Sequence, residues 1–158
     1  MRIQARVDYA IRAMAELATP HDGPVKAEEL ATSQGIPTKF LRGIMTDLKR
    51  AQLVTSQRGP EGGFVLTRPA EKISLADIFR AIDGPLATVR DQSLSSMSYE
   101  GAAADLPTVW MAVRGSLRRV LETTTIADLA AGSLPQSVID LADEYNSTTR
   151  DRLSKLPD

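Results

Sequence analysis

The chain has 158 residues, a formal net charge of −1 and a hydrophobic fraction of 42%, which is typical of one globular domain or a small domain with an appendage. It contains no cysteine, which excludes disulfides, thiolate catalysis and thiolate-ligated metal sites. No apolar run approaches the roughly 20 residues that a membrane span needs, and the N-terminus has no signal-peptide pattern. We therefore expect a cytoplasmic protein with no membrane partner.

Charge is unevenly distributed along the chain. Residues 1–72 carry eleven Lys or Arg and eight Asp or Glu, whereas residues 73–158 carry eight and twelve. Within the first part, residues 36–58 carry five basic residues and one acidic residue. A local basic segment is compatible with an ordinary solvated surface or with a DNA-binding site.

The first two elements are predicted to be helices. Apolar residues recur at helical spacing over residues 3–18, and prolines and a glycine in the following loop end that helix. A second, short helix is predicted from Lys26 to Ser33, and Gly35 ends it. Ile36-Pro37 is expected to open the third helix, which is basic. Two short helices joined by a glycine-containing turn, the second of them basic, are typical of a helix-turn-helix unit.

That third helix is predicted to have one apolar and one basic face. At about 100° per residue, the apolar arc contains Phe40, Leu41, Ile44, Met45, Leu48 and Ala51. The opposite arc contains Thr38, Lys39, Arg42, Gly43, Thr46, Lys49 and Arg50. Pro37 suits the first helical turn because no intrahelical partner exists there for the missing N–H.

A β-hairpin is predicted after this helix. Residues 53–56 and 64–67 have strand-forming types, and the glycines and proline between them favour a tight turn that carries Arg58. A basic helix beside a projecting basic loop is typical of a winged helix-turn-helix on DNA. The predicted fold class is mainly α with a small two-stranded β-wing.

The second half is predicted to be helical, with one long loop. Ser74 is the expected N-cap of a helix over 75–82, with Asp77 completing a capping box. Residues 86–105 show little periodicity and form a loop. A helix from Leu106 to Leu121 follows, then a short turn over 126–131 capped by Thr125, and a last helix over 136–156. The long helix has heptad spacing that favours pairing with a second copy, through Leu106, Trp110, Val113, Leu117 and Val120.

These motifs together resemble the Rrf2-type bacterial transcription regulators. The resemblance rests on Met1–Ile3, Tyr9–Met14, Gly35–Pro37, Phe40–Leu41, Leu48–Val54, Arg58–Leu66, Ile73–Leu75, Ala81–Gly84, Leu106–Trp110 and Thr125–Leu129. The wing is the most specific part, because the family has an Arg-Gly followed by Gly-Gly and an aromatic residue. We therefore divide the chain into a winged helix-turn-helix DNA-binding domain at 1–84, a variable loop at 85–105, a dimerisation helix and turn at 106–134, and a C-terminal helix or tail at 135–158.

The resemblance implies a homodimeric repressor on a palindromic operator in double-stranded DNA. Each protomer would place its third helix in a major groove, with half-sites roughly 34–36 Å apart. Carried over by position, Thr38, Lys39 and Arg42 are the base-reading candidates, Arg58 is the minor-groove candidate, and the remaining DNA-binding candidates are Gln4, Thr46, Lys49 and Arg50.

Three departures from the family pattern affect what the protein senses. Many members bind an iron–sulfur cluster through three cysteines before the long helix, but the matching stretch, residues 91–105, has none, so we expect no cofactor. Asp8 stands where some members have an extra cluster ligand, and we interpret it as a surface residue. Gln52 replaces a usual glycine, and Arg42-Gly43 replaces a common Glu or Gln, so the operator need not be the family's best-known one.

The signal is left open between two kinds of effector. A small molecule could bind in a pocket gated by residues 86–105, or a partner protein could dock on the acidic C-terminal half, where Asp140, Asp143 and Glu144 lie. An enzyme is not expected, because the chain has one histidine, His21 in a loop, and no phosphate-binding P-loop.

Overall fold

The computed structural model describes residues 3–89, 92–93 and 97–153. Within these ranges the helices are α1 (Ala5–Leu17), α2 (Ala27–Gln34), α3 (Thr38–Arg50), α4 (Leu75–Asp83), α5 (Leu106–Thr123), α6 (Ile126–Ala131) and α7 (Gln136–Leu153). The strands are β1 (Val54–Gln57), β2 (Gly63–Leu66), β3 (Thr88–Val89) and β4 (Gln92–Ser93). The predicted helices are confirmed to within a few residues, although the expected end of the last helix at residues 154–156 lies outside the described residues, as do Met1 and Arg2.

Helix α1 lies at the centre of the core. Its buried residues Val7, Ala10, Ala13, Met14 and Leu17 recur at helical spacing, and three turns of it pack against α2, α3, α4 and α6. Alanine at two of these positions allows the other helices to approach closely. The surrounding core is completed by aliphatic residues of the neighbouring elements, which include Leu30, Leu41, Ile44, Leu48, Ile73, Ile78 and Ile126.

Two capping boxes position the elements that follow the hairpin. Ser74 Oγ accepts from the Asp77 backbone N–H at 3.2 Å while Asp77 Oδ2 accepts from the Ser74 N–H at 3.1 Å, so the predicted cap is confirmed. Thr125 and Asp128 form the same motif at the start of α6. Ser74 and Thr125 also pair as an isolated bridge. The junction of α5 and α6 is therefore attached to the start of α4.

The predicted wing is confirmed as an antiparallel pair in which Val54 faces Leu66 and Gln57 faces Gly63. A third segment extends it: Val25 N–H donates to Phe64 O at 3.0 Å, and Phe64 N–H donates to Val25 O at 2.8 Å. A Cβ on Gly63 would lie 2.6 Å from the Val25 carbonyl carbon. The glycine is therefore required by this close approach of two backbones.

The exit from α3 contains the one non-glycine residue with positive φ among the described residues. Gln52 has φ 58°, and the chain around it forms a Schellman-type end in which Leu53 N–H donates to Leu48 O at 2.9 Å. Thr67 Oγ1 donates to Gln52 O at 2.6 Å. Left-handed backbone angles favour glycine. Gln52, which replaces the usual glycine of the family pattern, therefore lies at a position where glycine would be unstrained.

The segment between α4 and α5 is more structured than a plain loop. β3 and β4 pair antiparallel, Thr88 with Ser93 and Val89 with Gln92, and a single 3₁₀ turn covers Gly101–Ala103. Residues 90–91 and 94–96 of the predicted variable loop lie outside the described residues. None of the described helices is long and apolar enough to cross a membrane.

Candidate nucleic-acid interface

Helix α3 presents one buried and one exposed face. Leu41, Ile44, Met45 and Leu48 are fully buried, at i, i+3, i+4 and i+7. On the other side Lys39, Arg42, Thr46, Lys49 and Arg50 are exposed, and Thr38 is half-buried. This arrangement leaves a basic helix surface free to contact a polyanion.

One expectation about this helix is wrong. Helical periodicity places Phe40 and Ala51 on the apolar arc, but Phe40 is 59% exposed, and Ala51 is exposed as well. Both residues lie at the edge of the apolar stripe, which the neighbouring elements cover only along its middle. Phe40 therefore stands beside the basic surface, where its ring can make apolar contacts such as those with a thymine methyl group. The exposed aromatic could not be distinguished from a core residue by periodicity.

Several of the cations on α3 have protein partners. Arg42 Nη2 lies 2.6 Å from Glu28 Oε1 on α2, Lys49 Nζ donates to Ser56 Oγ on β1 at 2.6 Å, and Arg50 Nη1 lies 3.1 Å from Asp47 Oδ1. Among the described residues, none forms a hydrogen bond or ion pair with Lys39. Lys39 is thus available to an external anion, whereas Arg42 must first leave Glu28 before its Nη2 can bind one.

The ion pair between α2 and α3 has an electrostatic signature. The hydrogen bond from Arg42, supported by the backbone N–H of Glu28 itself, lowers the pKa of the Glu28 carboxyl below its ordinary value. Both side chains are largely exposed, so the pair contributes little to the free energy of unfolding. Its main effect is to hold the Arg42 guanidinium against α2.

The hairpin turn presents Arg58 to solvent. Arg58 is exposed, and no hydrogen bond or ion pair joins it to another residue in the described part of the chain. The turn that carries it needs glycine, because Gly59 has φ 110° and a Cβ on Gly62 would lie 2.4 Å from Gln57 O. The backbone of the turn is thus determined by its glycines, and Arg58 is an unpaired cation at its tip.

Gln4 lies at the N-cap of α1, away from α3 in sequence. Its Nε2 donates to Asp83 Oδ1 at the end of α4, over 2.6 Å. Nearby on α1, Arg6 forms an ion pair of 2.6 Å with Asp47 of α3. The start of α1 is therefore connected to both α3 and α4, and a phosphate contact by Gln4 would compete with Asp83.

The long helix α5 has no buried residue in the single chain. Leu106, Trp110, Leu117 and Val120 are half-buried, and Val113 is 44% exposed. Trp110 Nε1 is shielded from solvent but has no hydrogen-bond partner among the described residues. An 18-residue helix with a heptad stripe that its own chain covers only in part is typical of an element that pairs with another helix.

Residues 3–132 match the sequence profile of the family described as "Rrf2: Iron-dependent Transcriptional regulator". The chain belongs to the Rrf2 family. It is therefore a DNA-binding transcription regulator and not an enzyme, and its mainly helical fold with a two-stranded wing is the fold of Rrf2 regulators with known structures.

Similar proteins from three bacteria support this assignment. The chain is 51% identical over 148 residues to Rv1287 of Mycobacterium tuberculosis (strain ATCC 25618 / H37Rv). The alignment covers 93% of this chain and 92% of that protein, whose name provisionally assigns it to the HTH-type transcriptional regulators. The solved structure of CymR, titled the global cysteine regulator of B. subtilis, has a TM-score of 0.66 at 28% identity and covers 83% of this chain and 97% of its own. T. potens IscR gives a TM-score of 0.68 at 28% identity, covering 84% and 88%.

The residues of this Rrf2 chain do not fit a thiolate-ligated iron centre. The sequence has no cysteine, and the described residues contain no group of three or more His, Asp or Glu side chains that could hold a metal. Asp8 Oδ2 accepts from Arg12 Nη1 at 3.2 Å, as expected of a surface carboxylate. The ligands by which iron–sulfur clusters are ordinarily held are thus missing from the sequence itself.

Proposed function

We propose that this protein is a cytoplasmic, homodimeric repressor that binds a palindromic operator and responds to a signal other than a cysteine-ligated iron–sulfur cluster. The observation that carries the proposal is the exposed basic face of α3 beside the Arg58-bearing turn. Thr38, Lys39 and Arg42 would read bases in the major groove, Phe40 would contact a thymine methyl group, and Arg58 would enter the adjacent minor groove.

The remaining polar residues would position the protein on the phosphate backbone. Gln4, Thr46, Lys49 and Arg50 are exposed, and contacts of this kind fix register without reading sequence. The net charge of the whole chain is −1, so affinity for DNA must come from this local surface. We expect a strong dependence of affinity on salt concentration.

The dimer would form through the heptad stripe of α5. Leu106, Trp110, Val113, Leu117 and Val120 provide an apolar surface that the single chain covers only in part. A two-fold dimer would place two α3 helices in successive major grooves of one DNA face. Repression then requires only that the dimer occupy DNA overlapping a promoter.

The test is selection of genomic DNA fragments by the purified protein at a stated salt concentration. We expect enrichment of one palindromic site with half-sites about one helical turn apart. Transcription in vitro from a promoter overlapping that site should decrease when the protein is added. Enrichment without a symmetric site would contradict the dimeric interface, and increased transcription would contradict repression.

A further inference from the structure

A cavity of about 490 Å³ lies between the C-terminal end of α4 and the middle of α5. Its described lining residues are Arg80, Gly84, Pro85, Leu86, Arg114 and Arg118. The volume falls in the range of small-molecule sites. Three guanidinium groups and two apolar residues, Pro85 and Leu86, thus line one cleft of this size.

The arginines of this cavity are not fully neutralised by the protein. Arg118 Nε lies 2.9 Å from Glu122 Oε1, and Arg80 donates to the same oxygen, so two cations share one carboxylate. These two hydrogen bonds, first from Arg118 and then from Arg80, lower the pKa of Glu122. Asp77 approaches Arg80 only to 3.8 Å and is itself paired with Arg68 at 3.0 Å.

Arg114 has no ion pair or hydrogen bond with another described residue. It is half-buried, so its charge is partly removed from water without a protein counter-ion. Guanidinium groups in such positions favour carboxylate or phosphate, which they can bind through two parallel hydrogen bonds. The carbonyl end of α4 contributes only about half a negative charge nearby. The positive charge of the three guanidinium groups is larger than this partial charge.

The cavity lies next to the heptad stripe on α5, roughly a quarter of a turn around the helix from the centre of the stripe. Arg114, Arg118 and Leu121 are spaced i, i+4 and i+7, so they share one helix face. Leu121 packs against the cluster of Val7, Ala76, Phe79 and Leu86 on the α1–α4 side. The arginines therefore face the DNA-binding domain, and pairing through Val113 and Leu117 leaves this face to α4.

We propose that this cavity binds a small anionic molecule through a carboxylate or phosphate group. Arg114 and Arg118 bind the charged group, and Pro85 and Leu86 contact the apolar part. Arg80, which shares Glu122 with Arg118, adds a third donor from α4. The bound molecule thus bridges the DNA-binding domain and the dimerisation helix.

The position of the site gives it a route to the DNA-binding surface. Gly84 lines the cavity, and the preceding residue, Asp83, accepts the hydrogen bond from Gln4 at the start of α1. A ligand that moves the end of α4 changes where Gln4 lies. This regulatory consequence rests on the proposed function, whereas anion binding itself does not.

Binding can be measured without DNA, because Trp110 is the only tryptophan in the chain and lies one turn before Arg114 on α5. Inorganic phosphate and citrate are titrated separately at constant ionic strength, with calorimetry and Trp110 fluorescence as readouts. We expect saturable binding of at least one probe, with affinity reduced about tenfold or more in Arg114→Gln and Arg118→Gln. Arg119→Gln, which removes the same charge from α5 outside the cavity lining, should bind like the parent.

The outcomes separate the ligand chemistries and the proposals. Phosphate binding alone identifies a phosphate group as the ligand, and citrate binding alone identifies a carboxylate. No saturable binding of either probe, or equal loss in Arg114→Gln and Arg119→Gln, would overturn the site. If a variant fails to fold, the Nε–Hε signals of the parent's arginines give the answer: those of Arg114 and Arg118 should shift with probe, and that of Arg119 should not.

A DNA measurement then tests the regulatory consequence separately. The affinity for the selected operator is compared with and without saturating probe. Equal affinities would overturn regulation through this site while leaving the anion site established. Failure to select any operator would contradict the proposed function and would not alter the anion titration.

Discussion

Arg42 Nη2 donates to Glu28 Oε1 over 2.6 Å, so a carboxylate of α2 holds an arginine that α3 would otherwise present to DNA. The Arg42 side chain is 69% exposed and that of Glu28 is 58% exposed. Since Arg42 must leave Glu28 to bind a base, we predict that Glu28→Gln binds the operator about threefold to tenfold more tightly. Fluorescence anisotropy with labelled operator at fixed salt measures this change.

A neighbouring glutamate provides the control for that experiment. Glu29 is exposed on α2, and Glu29→Gln removes the same charge without releasing Arg42. The gain should therefore be larger for Glu28→Gln than for Glu29→Gln. Equal gains would mean that general repulsion of phosphates, and not competition for Arg42, explains the effect.

The same pair makes a prediction about pH. Because the pKa of Glu28 is lowered in the folded chain, the pair contributes stability above the unfolded-state pKa and loses it as pH falls through the lower folded-state value. We expect the parent to lose slightly more stability than Glu28→Gln between about pH 5 and pH 3, in urea unfolding followed by circular dichroism. Identical slopes in the two proteins would contradict a paired carboxylate.

Arg58 is the second test of the DNA interface. We predict that Arg58→Gln weakens operator binding about tenfold or more and makes the salt dependence of log Kd less steep. The reason is that an unpaired cation at the tip of the turn can enter a narrow groove without giving up a protein partner. Lys72→Gln is the matched control, because Lys72 is exposed and ends a 3₁₀ turn, Ala70–Lys72, that packs beside α6. A salt slope equal to the parent's would refute the assigned contact.

Gln52 gives a prediction about stability alone. With φ 58°, a glutamine there is strained by about 1 kcal/mol or more, and glycine removes that strain at a smaller entropic cost. We expect Gln52→Gly to raise the free energy of unfolding by about 0.5 kcal/mol. Ala51→Gly, at an ordinary φ of −76°, should lower it by about the same amount. Urea titration distinguishes the two, and destabilisation by both would show that the left-handed geometry carries no strain.

The heptad stripe of α5 can be tested by one buried charge. Val113→Glu places a carboxylate on the proposed interface in both copies, so we predict that the dimer Kd rises about a hundredfold. Sedimentation equilibrium measures it. Thr108→Glu is the control, since Thr108 is exposed on the side of α5 opposite the stripe. A dimer that tolerates Val113→Glu would place the interface elsewhere.

Elements that depend on local sequence could be predicted well. The caps at Ser74 and Thr125 are signalled by an acidic residue three positions later, and the exposed basic face of α3 follows from helical periodicity. The expectation that Phe40 belongs to the buried face is wrong, because periodicity gives the arc on which a residue lies but not how much of that arc its neighbours cover.

Long-range contacts could not be predicted from the same patterns. The Arg42–Glu28 pair joins residues 14 apart on different helices, and no local rule selects Glu28 over Glu29 as the partner. The sequence pattern assigns the glycines of this segment to a tight turn and to backbone angles that other residues avoid. Gly63 is needed instead because the Val25 backbone approaches it, which becomes visible only once α2 and the hairpin are placed together.

The bridge between Val25 and Phe64 has a consequence for how DNA sites are distinguished. Val25 leads directly into α2, and α2 is joined to α3 by the short turn at Gly35. The hairpin and α3 are therefore held at a fixed separation. A duplex whose grooves do not already have that spacing must deform to be bound, at an energy that depends on its sequence. Base pairs that no side chain touches would then help to decide which sites this protein occupies.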